Sequence, residues 1–238
     1  MRLLVIGGLA LTLAACGQPK VEPEFGAKVR AYLLENPEVL VEVSQALEAK
    51  QQAERAERAK ASIGPNRGKL ERDGRDHVLN PGGDITVVQF FDYNCGYCKV
   101  IAPEILEMAR TRPNVRFVFK DMVIFGASSE YAAAAASMAR TPAQFTSIHN
   151  ALMTTKPLNE AAIDRILTAH GIAPSAVRAT MADAKWQTYL RDVQMLARDM
   201  GIDGTPAFVV GDGVVHGADP DSLKAAIAAE LRRKNKTT

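Results

Sequence analysis

The pattern of apolar positions divides the chain into three zones. A 13-residue apolar segment covers 3–15, a sparse helical stripe runs through 22–62, and from Asp84 strand-like runs alternate with amphipathic helices. The densest run, ITVVQFF at 85–91, is β-branched and nearly continuous, which predicts a buried strand. A helix is predicted from about Cys95 to Ala109, and VRFVFK at 115–120 reads as the next strand. A strand–helix–strand unit of this length implies parallel strands with a right-handed crossover. Residues 128–183 carry helical periodicity only. There Thr141-Pro142 opens a helix burying Phe145, Ile148 and Leu152. Asn159 caps another, with Leu158 and Ile163 as a hydrophobic staple and Gly171 as its stop. A long helix to Met200 puts Tyr189, Val193 and Leu196 on one face before Gly201. Residues 207–210 and 214–216 predict a hairpin around Gly211-Asp212-Gly213, and Asp219-Pro220 caps the last helix.

The 22–62 zone has no strand signal. Phe25, Val29, Tyr32 and Leu33 form one face, Asn36-Pro37 restarts the helix with Asn36 as N-cap, and Leu40, Val43 and Leu47 follow at helical spacing. A charged tract, KQQAERAERAK, comes next. So narrow a stripe at a chain end suits a small oligomerisation element, and equally a helix pair folded back on its own domain. IGPNRGK at 63–69, with two glycines and a proline, reads as a linker.

The first segment follows Arg2 and is shorter than the ~20 apolar residues that a spanning helix needs, so 1–15 reads as a secretory signal. Leu13-Ala14-Ala15-Cys16 resembles the bacterial lipobox, in which the cysteine is lipidated; cleavage after Gly17 is the alternative. Gly17, in place of Asp, resembles lipoproteins sent to the outer membrane. Either route places the mature protein outside the cytoplasm, where disulfides persist.

With 238 residues, 47% hydrophobic and 24% charged, the chain suits one domain plus an appendage. A formal charge of +2 gives no field for nucleic acid, and the RRKNK cluster at 232–236 complements the end of the last helix.

Of three cysteines, Cys16 belongs to the signal, leaving Cys95 and Cys98. Structural zinc wants four ligands, whereas His77, His149, His170 and His216 are scattered singly, so no metal or other cofactor is expected. A bridge between cysteines three apart closes too short a loop to stabilise much and is readily reduced. Redox chemistry remains. At a strand–helix junction Cys95 faces unpaired amide N–H groups and the positive end of the helix dipole, which favour a thiolate. Cys98, one turn on, is expected to be more buried, so Cys95 is the nucleophile and Cys98 the resolving thiol.

Cys95-Gly96-Tyr97-Cys98-Lys99-Val100-Ile101-Ala102-Pro103 resembles the active-site helix of thioredoxin-fold proteins, and Gly204-Thr205-Pro206-Ala207 resembles their cis-proline loop. With helices inserted between the halves, residues 70–232 resemble the DsbA family, and FFDYNCGYCK with AYLLENPEVL its ScsC/Com1-like branch. The resemblance implies an α/β thioredoxin-like fold over 84–238 with a helical insertion at about 126–184. Ahead of it would come a linker and leading β segment at 63–83, and a helical oligomerisation segment at 16–62, trimeric in some members. It implies that Gly96, Tyr97, Thr205 and a cis Pro206 shape the site, with the Thr205 backbone beside Cys95 to pair with an extended substrate. DsbA carries Pro-His between its cysteines, whereas Gly96-Tyr97 with Thr205 resembles the isomerase DsbC. DsbA proteins often bury a glutamate six positions before the first cysteine; Gln89 stands there, leaving Lys120 or water for any proton relay. The expected activity is disulfide isomerisation or reduction on misoxidised extracytoplasmic proteins. A membrane thiol reductase of ScsB/DsbD type would supply electrons, and a lipid anchor would be the only membrane contact. A dithiol oxidase and a non-catalytic lipoprotein binding module are the alternatives.

Overall fold

The computed structural model describes residues 22–236; the signal segment 1–15, Cys16 and Gly17 lie outside them. The chain divides into two units, 1–51 and 52–238.

The larger unit is built on five strands, β1 (His77–Leu79), β2 (Ile85–Phe91), β3 (Val115–Asp121), β4 (Ala207–Val210) and β5 (Gly213–His216), in the order β1-β3-β2-β4-β5. β2 and β3 are parallel, as the crossover pattern required, and every other pairing is antiparallel. From Val87 to Phe91 every residue of β2 is buried, which explains why its sequence is apolar throughout rather than alternating. A Cβ at Gly83 would collide with the Arg116 backbone, so the chain entering β2 can press against β3 only with glycine there.

Helix α3 (Gly96–Thr111) makes the crossover. The inserted block holds α4 (Ala127–Ser137), α5 (Pro142–Thr154), α6 (Glu160–Ala169) and α7 (Pro174–Ala182), followed by α8 (Ala184–Asp199) and, after the hairpin, α9 (Pro220–Asn235). The caps act as the sequence indicated. Thr141 Oγ1 accepts from Gln144 N, Asn159 Oδ1 from Ala162 N, and Asp219 Oδ1 from the Asp221 and Ser222 amides. Gly201, at φ +68°, ends α8 in the left-handed region. The buried alanines 132–136 of α4 let α5, α6 and α7 approach it closely.

Two local expectations are corrected. Residues 63–69 are not a linker: helix α2 (Glu38–Glu71) runs through Gly64, Pro65 and Gly68. Ile63 and Leu70, 0% and 1% exposed, pack into the core of the larger unit, each contributing about 2 kcal/mol. Pro65 removes one amide from the ladder, while Asn66 Nδ2 donates to the Ser62 carbonyl in the same turn. Arg67 pairs with Glu71 at 2.7 Å and with Asp212 in the hairpin at 2.5 Å. Tertiary burial therefore outweighs the local breakers. Asn36, expected to start α2, instead ends α1 (Pro23–Glu35), its side chain donating back to the Tyr32 carbonyl.

Within the smaller unit, α1 and the first part of α2 bury none of their large apolar side chains. Phe25, Val29, Tyr32, Leu34, Leu40, Val41, Val43 and Leu47 are all more than 40% exposed.

Candidate functional site

Cys95 is the residue at which strand chemistry gives way to helix chemistry. It is the N-cap of α3, extended at φ −68° and ψ 119°, and its carbonyl accepts the Lys99 amide in the first turn. Its Sγ lies 3.2 Å from the Thr205 carbonyl, to which the thiol donates. The Thr205–Pro206 peptide is cis. This contact joins two motifs that the sequence separates by 110 residues. Cys98 sits one turn below with no exposed surface, against 3% for Cys95, and the two are free thiols. Burial pushes the Cys98 thiol far above its ordinary range; the Asp92 backbone and the Thr205 hydroxyl favour its thiolate only in part. Such burial holds the Cys98 proton more firmly than that of an exposed cysteine.

Gly96 and Tyr97 project outward, Tyr97 being 70% exposed, and Val100 on the next turn is 68% exposed. Together they put a neutral, largely apolar apron on the exposed side of the first turns of α3.

Asp92 is the main residue that sequence reasoning missed. Its carboxylate is 2% exposed and accepts four hydrogen bonds. Oδ1 takes the Asn94 amide at 2.7 Å and the Ser129 hydroxyl of α4 at 2.6 Å; Oδ2 takes the Ile124 and Phe125 amides at 2.8 and 3.0 Å. One side chain thus fixes the turn entering Cys95 and the loop that displays Ile124 and Phe125, 42% and 53% exposed. The Asp-x-Asn spacing is an Asx-turn signal that was available in the sequence; the partners more than 30 residues away were not.

Lys99 was also missed. Its ammonium donates to the Leu152, Met153 and Thr155 carbonyls, closing the C-terminal end of α5 at distances of 2.9, 3.3 and 3.0 Å. Burial, with Lys156 nearby, lowers its pKa to about 8.

The two relay candidates are placed differently. Gln89 is 1% exposed on β2, and neither amide atom has a hydrogen-bond partner among the described residues. Lys120 is engaged elsewhere: its ammonium, 1% exposed, pairs with Asp76 at 2.5 Å and donates to the Lys69 carbonyl of α2 at 2.6 Å. Tyr189 of α8 donates to the other Asp76 oxygen at 3.2 Å. Lys120 therefore clamps α2 and the segment before β1 onto β3. Of the scattered histidines, His149 is wholly buried within the Phe91, Tyr93, Phe119 and Phe145 rings, with Nδ1 2.9 Å from the Tyr93 hydroxyl.

Residues 86–228 match the DSBA-like thioredoxin domain, and residues 22–54 match the copper resistance protein ScsC N-terminal domain. Disulfide bond formation protein D of Bacillus subtilis is 28% identical over 164 residues, covering 63% of this chain and 74% of that protein. The Na(+)/H(+) antiporter NhaA 3 of Salinispora tropica is 27% identical over 185 residues, and the chain spans only 28% of its length. Among solved structures, Proteus mirabilis ScsC in a transitional conformation is 28% identical with a TM-score of 0.66, covering 88% of this chain and 96% of that one.

Proposed function

Because the chain belongs to the DSBA-like thioredoxin domain family and is a thiol:disulfide oxidoreductase of the DsbA/ScsC type, we propose that Cys95 and Cys98 reshuffle or reduce misplaced disulfides in extracytoplasmic client proteins. The observation that carries this reading is the Cys95 Sγ–Thr205 carbonyl contact at 3.2 Å above a fully buried Cys98. The Cys95 thiolate attacks a client disulfide, forming a Cys95–client bond and releasing one client thiolate. That thiolate can attack another client disulfide, and a client thiol then displaces Cys95, returning the enzyme reduced. Alternatively Cys98 attacks Cys95, so the client leaves as a dithiol and the enzyme as the Cys95–Cys98 disulfide. A membrane thiol reductase of ScsB/DsbD type then restores the dithiol. Thr205 and cis Pro206 present main-chain groups to an extended client segment, and Gly96 and Tyr97 border it.

The direction of exchange is argued from two features. Gly96 and Tyr97 add no charge beside Cys95. The uncovered stripe of α1 and α2 is what several copies need in order to gather active sites around one client. We assign that stripe to homo-oligomerisation, with a trimer as the expected assembly. Cys16 is the proposed lipidation site, anchoring the protein at the periplasmic side of the outer membrane.

Full-length protein is expected to restore activity to scrambled ribonuclease in a redox buffer. Leu40→Glu/Leu47→Glu is expected to be monomeric by light scattering, with that recovery reduced several-fold while insulin reduction persists. Faster oxidation of a reduced client than recovery of a scrambled one would assign the oxidase role instead. Growth in labelled palmitate followed by Cys16→Ser substitution tests the anchor: retention of label in the variant would remove it.

A further inference from the structure

We infer that the groove beside the cis-proline loop selects client segments that are acidic around the reacting cysteine. This inference rests on the proposed exchange at Cys95 and specifies its substrate. The groove has a volume of about 490 Å³ and an apolar floor of Met122, Ile124 and Ile202. Ile202 and Met122 are almost wholly covered, at 1% and 6% exposed, while Ile124 stands out at 42%. Asp203 lines the same groove, two residues before Thr205, so the floor runs into the loop whose carbonyl meets the Cys95 thiol. Three residues of extended chain span about 10 Å, which puts the groove within reach of side chains flanking a client cysteine.

The walls carry the charge. Arg55 and Arg58 stand one turn apart on one face of α2, and Arg198 comes from the last turn of α8. Against these three cations the lining offers one carboxylate, Asp203, a balance of +2 in a chain whose whole net charge is +2. No ion pair involves Arg55, Arg58 or Arg198 among the described residues, and Arg58 makes one hydrogen bond, from Nε to the Glu54 carbonyl. The acids of the same stretch of helix, Glu54 and Glu57, line an adjoining concavity with Ala53, and Arg58 borders both. Arg55 and Arg58 thus both reach the groove, whereas Glu54 and Glu57 do not line it. Like charges converging on an apolar floor disfavour a basic occupant and attract an acidic one, and the effect weakens as salt screens it.

Three peptides serve as the test, each carrying one cysteine as a mixed disulfide with thionitrobenzoate and differing only in flanking residues, Glu, Gln or Lys. The reduced full-length protein is mixed with each, and thionitrobenzoate release gives the rate constant. At low ionic strength the Glu peptide is expected to react about tenfold faster than the Lys peptide, and the ratio should shrink toward one in 1 M salt. In Arg55→Glu/Arg58→Glu the order should reverse. Rates for the three peptides within twofold of one another, or a preference unchanged in the double variant, would overturn the inference while leaving the exchange reaction intact. No release from any peptide would overturn the exchange reading itself.

Discussion

Replacing His149 by phenylalanine isolates what it costs this fold to hold an imidazole in an aromatic core. Burial, with a smaller contribution from His77, lowers the His149 pKa to about 3, against 6.5 for an exposed histidine. Above pH 6.5 neither the folded nor the unfolded chain binds a proton here, and the site adds no pH dependence. Between 6.5 and 3 the unfolded chain takes up a proton that the folded chain refuses, so stability is lost as the pH is lowered. At roughly 1.4 kcal/mol per unit, lowering the pH from 7.5 to 4.5 crosses two units of this window and costs about 3 kcal/mol. Asp76 opposes this. Its pKa is raised to about 6, mainly by burial and against the pull of Lys120, so the folded chain gains a proton that the unfolded chain lacks between 6 and 3.8. That restores about 2 kcal/mol by pH 4.5. The wild type therefore shows only a shallow slope from these two groups, and the histidine effect emerges by difference. Urea unfolding of wild type and His149→Phe, followed by circular dichroism at pH 7.5 and 4.5, measures it. The loss of a partner for the Tyr93 hydroxyl lowers the variant by about 1–3 kcal/mol at both pH values and drops out of the comparison. Relative to wild type, the variant should gain about 3 kcal/mol on acidification. A difference that stays constant within about 0.5 kcal/mol would refute the assignment of a neutral, buried His149.

Cys98→Ala should accumulate a Cys95–client mixed disulfide visible by mass, whereas Cys95→Ala should form none and lose insulin reduction. Asp92→Asn keeps the shape but loses charge-assisted acceptance from four donors; it should cost about 2–3 kcal/mol and speed hydrogen exchange at the Ile124 and Phe125 amides. Lys120→Met should destabilise by about 3–5 kcal/mol by stranding Asp76, while Asp76→Leu/Lys120→Met should recover most of that loss in a urea melt.

The sequence announced what is locally encoded. β2 was legible because burial on both faces leaves a continuous apolar run, and the caps Thr141, Asn159 and Asp219 because a short polar side chain has few other uses before a helix. The dithiol helix and the Thr205-Pro206 loop were legible through family resemblance, since nothing local indicates that Thr205 meets Cys95. Residues 63–71 misled because Gly64, Pro65 and Gly68 act locally, whereas the burial of Ile63 and Leu70 that overrides them is set by distant partners. The same limit hid Asp92 and Lys99, whose partners lie on loops and helix ends some 30 to 60 positions away.

The Asp92 carboxylate has an evolutionary reading. It fastens the thiol-bearing turn to the inserted helices through a demand that is almost free of side-chain identity: two loop amides and one hydroxyl, from Ser129. A helical block grafted behind β3 has to return those three donors, together with the carbonyls that hold Lys99 and the partner of the Tyr93 hydroxyl, to leave the dithiol undisturbed. Client preference can then diversify in the insertion while the exchange chemistry stays fixed. Chimaeras that swap the block but keep a hydroxyl at position 129 are the natural place to look for new clients.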